Sequence, residues 1–280
     1  MTDLYLVGGF LGAGKTTLLG AAATRLRGAT VGLISNDQAA GLVDTQLFEA
    51  AAGTVREVSG SCFCCNFPGF LAAARSLRDA GCDVVLAEPV GSCTDLSATL
   101  AQPLKDRHAA EFRLCGLTAL ADPCRLAAIL DGGTSGLHQS AAYIVKKQLE
   151  EADIILINKV DLLDAAARDR LAARTAARFP GAQVLCASAR TGEGVDRWLA
   201  AAGAMDGAGR RVVPVDYDTY AEGEAALGWL NLTASLTALG AADWNDLARR
   251  LTDDLAARFR ALSTPIGHVK LLTTSSAGYA

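Results

Sequence analysis

No block of basic residues occurs anywhere in these 280 residues, and the formal net charge is −4. Affinity for a phosphate backbone needs clustered lysine and arginine, so general nucleic-acid binding is excluded. Histidine is scarce, with His108, His138 and His268 as the full set. Internal repeats are lacking, as are low-complexity blocks beyond alanine-rich helical stretches. Met1-Thr2-Asp3 carries no basic n-region, and the apolar run after it is too short for a signal peptide. The long uncharged run from Ala225 to Ala242 alternates Leu230, Leu232, Ala234 and Leu236 with Asn231, Thr233, Ser235 and Thr237. A period of two predicts a half-buried strand and excludes a lipid-facing helix, so a soluble, cytoplasmic protein with no membrane partner is expected. Eight cysteines are too few for a dense disulfide framework in a chain of this length. Three of them fall together, which points to metal chemistry in a reducing compartment.

What is present is a well-cored globular chain, 51% hydrophobic and 20% charged. Its length suits an α/β domain plus a smaller one. The chain is organised around Gly8-Gly9-Phe10-Leu11-Gly12-Ala13-Gly14-Lys15-Thr16-Thr17, which contains G-x-x-x-x-G-K-[ST] from Gly9. The apolar Leu4–Val7 run before it reads as a buried parallel strand, and the helix formers after it run toward Gly28. Strand, glycine loop and helix form the context this phosphate-binding motif needs. Gly9, Gly12, Ala13, Gly14 and Thr17 belong to the loop whose backbone N–H groups would surround phosphate oxygens. Lys15 would reach the β- and γ-phosphates, and the Thr16 hydroxyl would ligate Mg²⁺.

Thr30–Ser35 predicts a second strand, followed by Asn36-Asp37, whose acid is placed to help hold Mg²⁺ or a water on it. The segment 38–57 shows little periodicity and reads as a surface loop or one that responds to the γ-phosphate. Next comes C-x-C-C: Cys62, Cys64 and Cys65. Thiolates are soft ligands suited to Zn²⁺ or Cu⁺, and three within four residues can face one ion where the backbone is irregular, as Gly60 allows. Buried structural cysteines and a redox pair are the alternatives. Pro68 fits the first turn of a following helix. The fourth ligand is left open among water, a carboxylate and a partner's side chain. Cys82, Cys93, Cys115, Cys124 and Cys186 are scattered and read as small core residues.

Asp83–Ala87 predicts a third strand ending in Glu88-Pro89-Val90-Gly91. Glu88 suits a carboxylate that positions water or Mg²⁺, and the Gly91 N–H suits a γ-phosphate contact. Further strands are predicted at 117–121, 154–157 and 183–186. The strand at 154–157 runs into Asn158-Lys159-Val160-Asp161, an N-K-x-D. Its Asp carboxylate can accept from guanine N1–H and the 2-amino group, a donor pair that adenine lacks. Asn158 and Lys159 would brace the loops. Ser188-Ala189 matches the loop through which such sites touch guanine O6, although an ordinary strand-to-helix turn reads the same way. A glycine-rich linker at 203–209 ends the alternating pattern. The expected organisation is a P-loop NTPase domain over 1–203, with a mostly parallel sheet flanked by helices, and a small α+β domain over 204–280. In the second domain, strands at 212–215, 228–237 and 266–272 would carry a helix whose apolar face includes Trp244, Leu247, Leu251 and Phe259.

With these motifs in this order, the chain resembles the CobW-like family of metal-chaperone GTPases, itself similar to the urease and hydrogenase nickel GTPases. The likeness is strong over about residues 1–200. It implies a GTPase that binds Zn²⁺ or Co²⁺ at C-x-C-C and delivers it to a client protein. By that likeness Lys15, Thr16, Asp37 and Glu88 serve phosphates and Mg²⁺, Cys62, Cys64 and Cys65 serve the cargo ion, and Asn158, Lys159 and Asp161 read guanine. Two features depart from the family. Asn36-Asp37 replaces the usual Asn-Glu, so the shorter acid would reach Mg²⁺ through a water, and histidine-rich segments are missing. GTP and Mg²⁺ would order the loops at 36–44 and 88–95, with the cysteine loop between them in sequence. Slow intrinsic turnover is expected, because no arginine finger is identifiable. A second reading keeps the GTPase as a chaperone that gates cofactor loading, cobalamin for example, into a partner enzyme. A third, a small-molecule kinase, conflicts with N-K-x-D. The client and the oligomeric state, a homodimer included, are left open.

Overall fold

The computed structural model describes residues 1–37, 54–59, 61–205, 207–230, 232–238, 240, 242–264, 266–275 and 278–279. Alternation along the first strand sets the architecture. In β1 (Thr2–Gly8), Leu4 and Leu6 enter one apolar core and Tyr5 and Val7 the other. A strand buried on both faces needs helices on both sides, and that is the layering found.

β1 is followed by α1 (Lys15–Ala23), β2 (Val31–Asp37), β3 (Val55–Ser59), α2 (Phe67–Asp79) and β4 (Val84–Glu88). A π-helical turn (Ser97–Ala101) leads into α3 (Gln102–Arg107), then β5 (Phe112–Leu114), β6 (Thr118–Ala121), α4 (Pro123–Leu130) and α5 (Gln139–Glu151). β7 (Ile154–Ile157), α6 (Ala165–Arg178), β8 (Gln183–Cys186), α7 (Val195–Gly203) and α8 (Tyr217–Ala225) complete the first unit. The described strands pair in parallel in the order β3-β2-β4-β1-β6-β7-β8, with β5 on the N-terminal part of β1. The mostly parallel sheet expected from the sequence is therefore present. The phosphate motif leaves the C-terminal end of β1, between β4 and β6, where the strand order switches and α/β sheets place their ligands.

Two strands escaped the sequence reading. β3 lies in the stretch that showed little periodicity. Among the described residues it pairs with β2 alone, and its Val-Arg-Glu-Val-Ser pattern is that of a half-exposed edge. β5 is three residues long, below the length at which alternation can be read.

One described unit spans Met1–Ala226 and the other Leu227–Ala280. The first runs past residue 203, where the sequence places a boundary, because the glycine-rich stretch is wired in. The buried Asp153 accepts from Gly209 N at 2.5 Å, and Gly209 O accepts from Ser97 Oγ, Gln102 Nε2 and Lys105 Nζ at 3.0, 2.6 and 3.1 Å. α8 then packs on α5, where Gly223 sits so close that a Cβ would lie 2.7 Å from Ser140 O.

The second unit contains α9 (Trp244–Ala261) and a two-residue hairpin, β9 (Thr274–Ser275) with β10 (Gly278–Tyr279). The expected strands at 212–215, 228–237 and 266–272 are not found among the described residues. Leu230, Leu232 and Leu236 are exposed, and α9 buries none of its side chains. Alternation makes a strand only where a neighbour takes its backbone hydrogen bonds, and none of the described residues supplies that ladder. Among the described residues no helix is long and apolar enough to cross a membrane.

Candidate functional site

The loop from Gly8 to Thr16 opens α1 with Gly14 at φ 96°, a left-handed conformation costly for any side chain. A Cβ there would also lie 2.5 Å from Asn158 Nδ2. Lys15 and Thr16 are both buried. Lys15 Nζ stands 3.8 Å from Glu88 Oε1, and Thr16 Oγ1 donates to the same oxygen at 3.2 Å. Hydroxyl and carboxylate side by side make a hard-oxygen donor set that suits Mg²⁺ beside phosphates. Three residues beyond Glu88, Gly91 lies against the phosphate loop, where a Cβ would be 2.7 Å from Leu11 Cδ2 and 3.0 Å from Leu11 N. These features fit a nucleotide triphosphate with its cation. Asp37 closes β2 in register with Ser59, and its side chain lies outside the described residues, as do residues 38–44 and Gly60.

At the other end of the loop, Asn158 fastens two segments. Its Nδ2 donates to Ala13 O at 2.8 Å, and its Oδ1 accepts from Ala189 N at 2.9 Å. Lys159, left-handed at φ 56°, donates to Gly12 O at 2.6 Å and to Asp122 Oδ2 at 2.9 Å. Asp161 accepts from Ser188 Oγ at 2.5 Å and pairs with the exposed Arg190. The Ser188 hydroxyl, with Arg190 beside it, holds the Asp161 carboxyl below the usual carboxylate range. Asp161 is thus ionised and acceptor-only, as recognition of an N–H pair requires.

The C-x-C-C loop hangs from the ends of β2 and β3. Phe63 anchors it in the apolar core, 4.8 Å from the Phe70 ring centroid. Buried Asn36 ties it down: Nδ2 donates to Val58 O and Ser61 O at 2.7 and 2.8 Å, and Oδ1 accepts from Phe63 N at 3.0 Å. Asn66 caps α2 by accepting from Gly69 N, with Pro68 in the first turn as expected. The thiols of Cys62, Cys64 and Cys65 all lie within 4.8 Å of one another. Cys62 is 2.6 Å from Cys64, and Cys64 is 3.9 Å from Cys65. Hydrogen bonds from Cys64, then Cys93, pull Cys62 far below the normal thiol range. The same proximity pushes Cys64 and Cys65 up, because a second thiolate beside the first is disfavoured.

The expectation that the other five cysteines are core residues needs correcting. Cys82 and Cys115 are buried as expected, but Cys124 is exposed and Cys186 half-buried. Cys93 is buried against the cluster, its Sγ 4.0 Å from Cys64 Sγ.

Residues 3–186 match the CobW/HypB/UreG nucleotide-binding domain. The chain belongs to the CobW/HypB/UreG family. It is 27% identical over 209 residues to the "Zinc chaperone CobW" of Pseudomonas aeruginosa, covering 66% of this chain. It spans about half, 56%, of that relative's length. Its fold is similar to the hydrogenase maturation factor HypB of Archaeoglobus fulgidus (TM-score 0.51, 17% identity, 71% of this chain and 87% of that one). A second HypB, from Helicobacter pylori and solved in complex with nickel, gives TM-score 0.50 and 14% identity over 71% and 83% of the two chains.

Several residues around this family's motif positions were not visible in sequence. Gln148 of α5 donates to Gly91 O and Cys93 O at 3.0 and 2.8 Å, fixing the loop after β4. Glu151, one turn on, accepts from Ser97 N at 2.9 Å, and burial pushes its carboxyl up to about 8. Asp122 caps α4 while holding Lys159, and Arg125 donates to Leu11 O at 2.6 Å with its guanidinium over Phe10. These lie on helices or strand ends far along the chain, so no spacing rule connects them.

Proposed function

We propose that this chain is a GTP-hydrolysing metallochaperone that carries one soft divalent ion, Zn²⁺ before Co²⁺, on Cys62, Cys64 and Cys65 and passes it to a client protein. The observation that carries this reading is the convergence of three thiols within 4.8 Å in a loop suspended from β2 and β3, on the same sheet as the phosphate loop. Family membership and a relative named as a zinc chaperone support it. Thiolates bind Zn²⁺ strongly, and an incomplete protein shell suits release.

In this reading Lys15 and the N–H groups of 9–16 bind and orient the triphosphate. Thr16 and Glu88, with Asp37, would hold Mg²⁺, which would supply charge neutralisation at the phosphates. Glu88 would position an attacking water, and the Gly91 N–H would contact the γ-phosphate. Asn158 and Lys159 keep the phosphate loop and the 188–190 loop in register, and Asp161 selects guanine. Guanine must displace Arg190 from Asp161, an exposed contact that yields at small cost. Arg125 touches the phosphate loop through a carbonyl oxygen and a ring, so no transition-state role is assigned to it.

The test uses the full chain, reduced, with Zn²⁺ and GTP. One Zn²⁺ per chain is expected, with loss of binding when Cys62, Cys64 and Cys65 are all changed to Ser and GTP turnover still measurable. Full Zn²⁺ binding by that triple variant would remove the cargo site.

A further inference from the structure

A fourth sulfur lies beside the three clustered thiols: Cys93 Sγ is 4.0 Å from Cys64 Sγ, although it is not within 4.8 Å of all three. A tetrahedral Zn²⁺ with bonds of about 2.3 Å holds its sulfurs about 3.8 Å apart. Cys64 to Cys65 is 3.9 Å and Cys64 to Cys93 is 4.0 Å, both close to that spacing. Cys62 to Cys64, at 2.6 Å, would have to open as an ion enters. Cys93 is 1% exposed, and its thiol faces both Cys62 and Cys64. It therefore approaches the cluster from the protein interior, while Cys65 closes the solvent side.

The backbone around Cys93 is short and held. Cys93 N donates to Val90 O at 2.9 Å, and Gln148 fastens Gly91 O and Cys93 O together. Gly91 in turn rests on Leu11 of the phosphate loop. One residue, Ser92, thus separates a backbone that touches the phosphate loop from a sulfur 4.0 Å from Cys64 Sγ. We propose that Cys93 is the fourth thiolate ligand of the cargo ion, and that it is the ligand whose position the nucleotide state controls.

This rests on the reading of Cys62, Cys64 and Cys65 as the cargo site. It adds an S₄ donor set, which favours Zn²⁺ and other soft ions over Mg²⁺ or Mn²⁺. It also supplies a route for release. A shift of 90–93 that withdraws one of four sulfurs leaves a three-thiolate, open-sided ion that an incoming client ligand can capture. Ion binding displaces thiol protons to solvent, so affinity rises with pH.

Reduced full-length protein is titrated with Co²⁺, whose sulfur-to-metal absorption scales with the number of thiolates. Zn²⁺ affinity is measured by chelator competition, with GDP and with a non-hydrolysable GTP analogue. Cys93→Ala is expected to lose about a quarter of the absorption and to weaken Zn²⁺ about 100-fold. Its Zn²⁺ affinity should no longer differ between the two nucleotides. Cys115→Ala, which removes a buried thiol from the opposite core, should match wild type in all three readings and controls for packing. Full absorption and wild-type affinity in Cys93→Ala would overturn the assignment. Loss of absorption with the nucleotide difference intact would overturn the control role. Glu224 of α8 is close enough to Cys62 for burial and that thiol to push its carboxyl up, so loss on Glu224→Gln in place of Cys93→Ala would give the fourth position to this carboxylate. Wild-type protein without any thiolate absorption would remove the cargo site itself, and Cys93 with it.

Discussion

Lys15→Met is expected to lower GTP turnover by about 10²–10³-fold, and also to destabilise the nucleotide-free protein. The first effect follows from removing the cation that meets the β- and γ-phosphates. The second follows from burial. Lys15 and Glu88 side chains are 6% and 7% exposed and 3.8 Å apart, so each charge sits in the other's field with little water. Breaking a buried pair from one side costs about 3 kcal/mol, because the remaining charge loses its compensation. The double variant Lys15→Met/Glu88→Gln removes both charges and should recover most of that loss while remaining inactive. Denaturant unfolding of the two single variants and the double variant reads the cycle, and turnover is read on the same samples. A double variant less stable than Lys15→Met, or a Lys15→Met enzyme that turns over normally, would contradict this picture of the phosphate site.

Asp161→Asn should weaken guanine nucleotides about 100-fold and strengthen xanthine nucleotides. In the proposed reading the carboxylate accepts from N1–H and from the 2-amino group, so replacing one oxygen with an NH₂ sets a donor against a donor. Xanthine carries a carbonyl at that position and accepts what Asn donates. Asp161 is engaged by Ser188 at 2.5 Å and by Arg190. Arg190→Ala removes a competitor for the carboxylate and should tighten GDP a few-fold at most. Calorimetry with GDP, xanthosine diphosphate and ADP checks the set. Equal binding of GDP by wild type and Asp161→Asn would show that the base lies elsewhere.

Much of the first unit was readable because its signals are local. Apolar strand, glycine loop and helix follow one another around Gly9–Thr16, and N-K-x-D sits at the end of a four-residue apolar strand. Edge strand β3 was not readable, since a half-exposed strand with Arg56 and Glu57 in it carries too weak a pattern. The strands expected in 204–280 failed for the opposite reason. Leu230, Leu232 and Leu236 give a strong alternating pattern, but pattern is only permission to pair, and the partner is what makes a strand. At the site, the residue types that chemistry demands were legible, and the residues that hold them were not. Asn36 was read only as the neighbour of an acid, yet it makes three hydrogen bonds that suspend the cysteine loop. Cys93 was read as core, since nothing in sequence shows that the chain brings it back to Cys64 across 29 positions.

The most direct measurement is Zn²⁺ affinity of the full chain in the presence of GDP and of a non-hydrolysable GTP analogue, with GTP-analogue affinity measured with and without Zn²⁺. With GDP affinity measured in the same way, linkage requires the Zn²⁺-affinity ratio between the two nucleotide states to equal the factor by which Zn²⁺ changes GTP-analogue affinity divided by the factor by which it changes GDP affinity, and a working coupling of this kind is expected to make that ratio about 5–150-fold. Zn²⁺ affinities that are the same with both nucleotides would mean that the phosphate loop and the cysteine cluster share a scaffold without sensing each other.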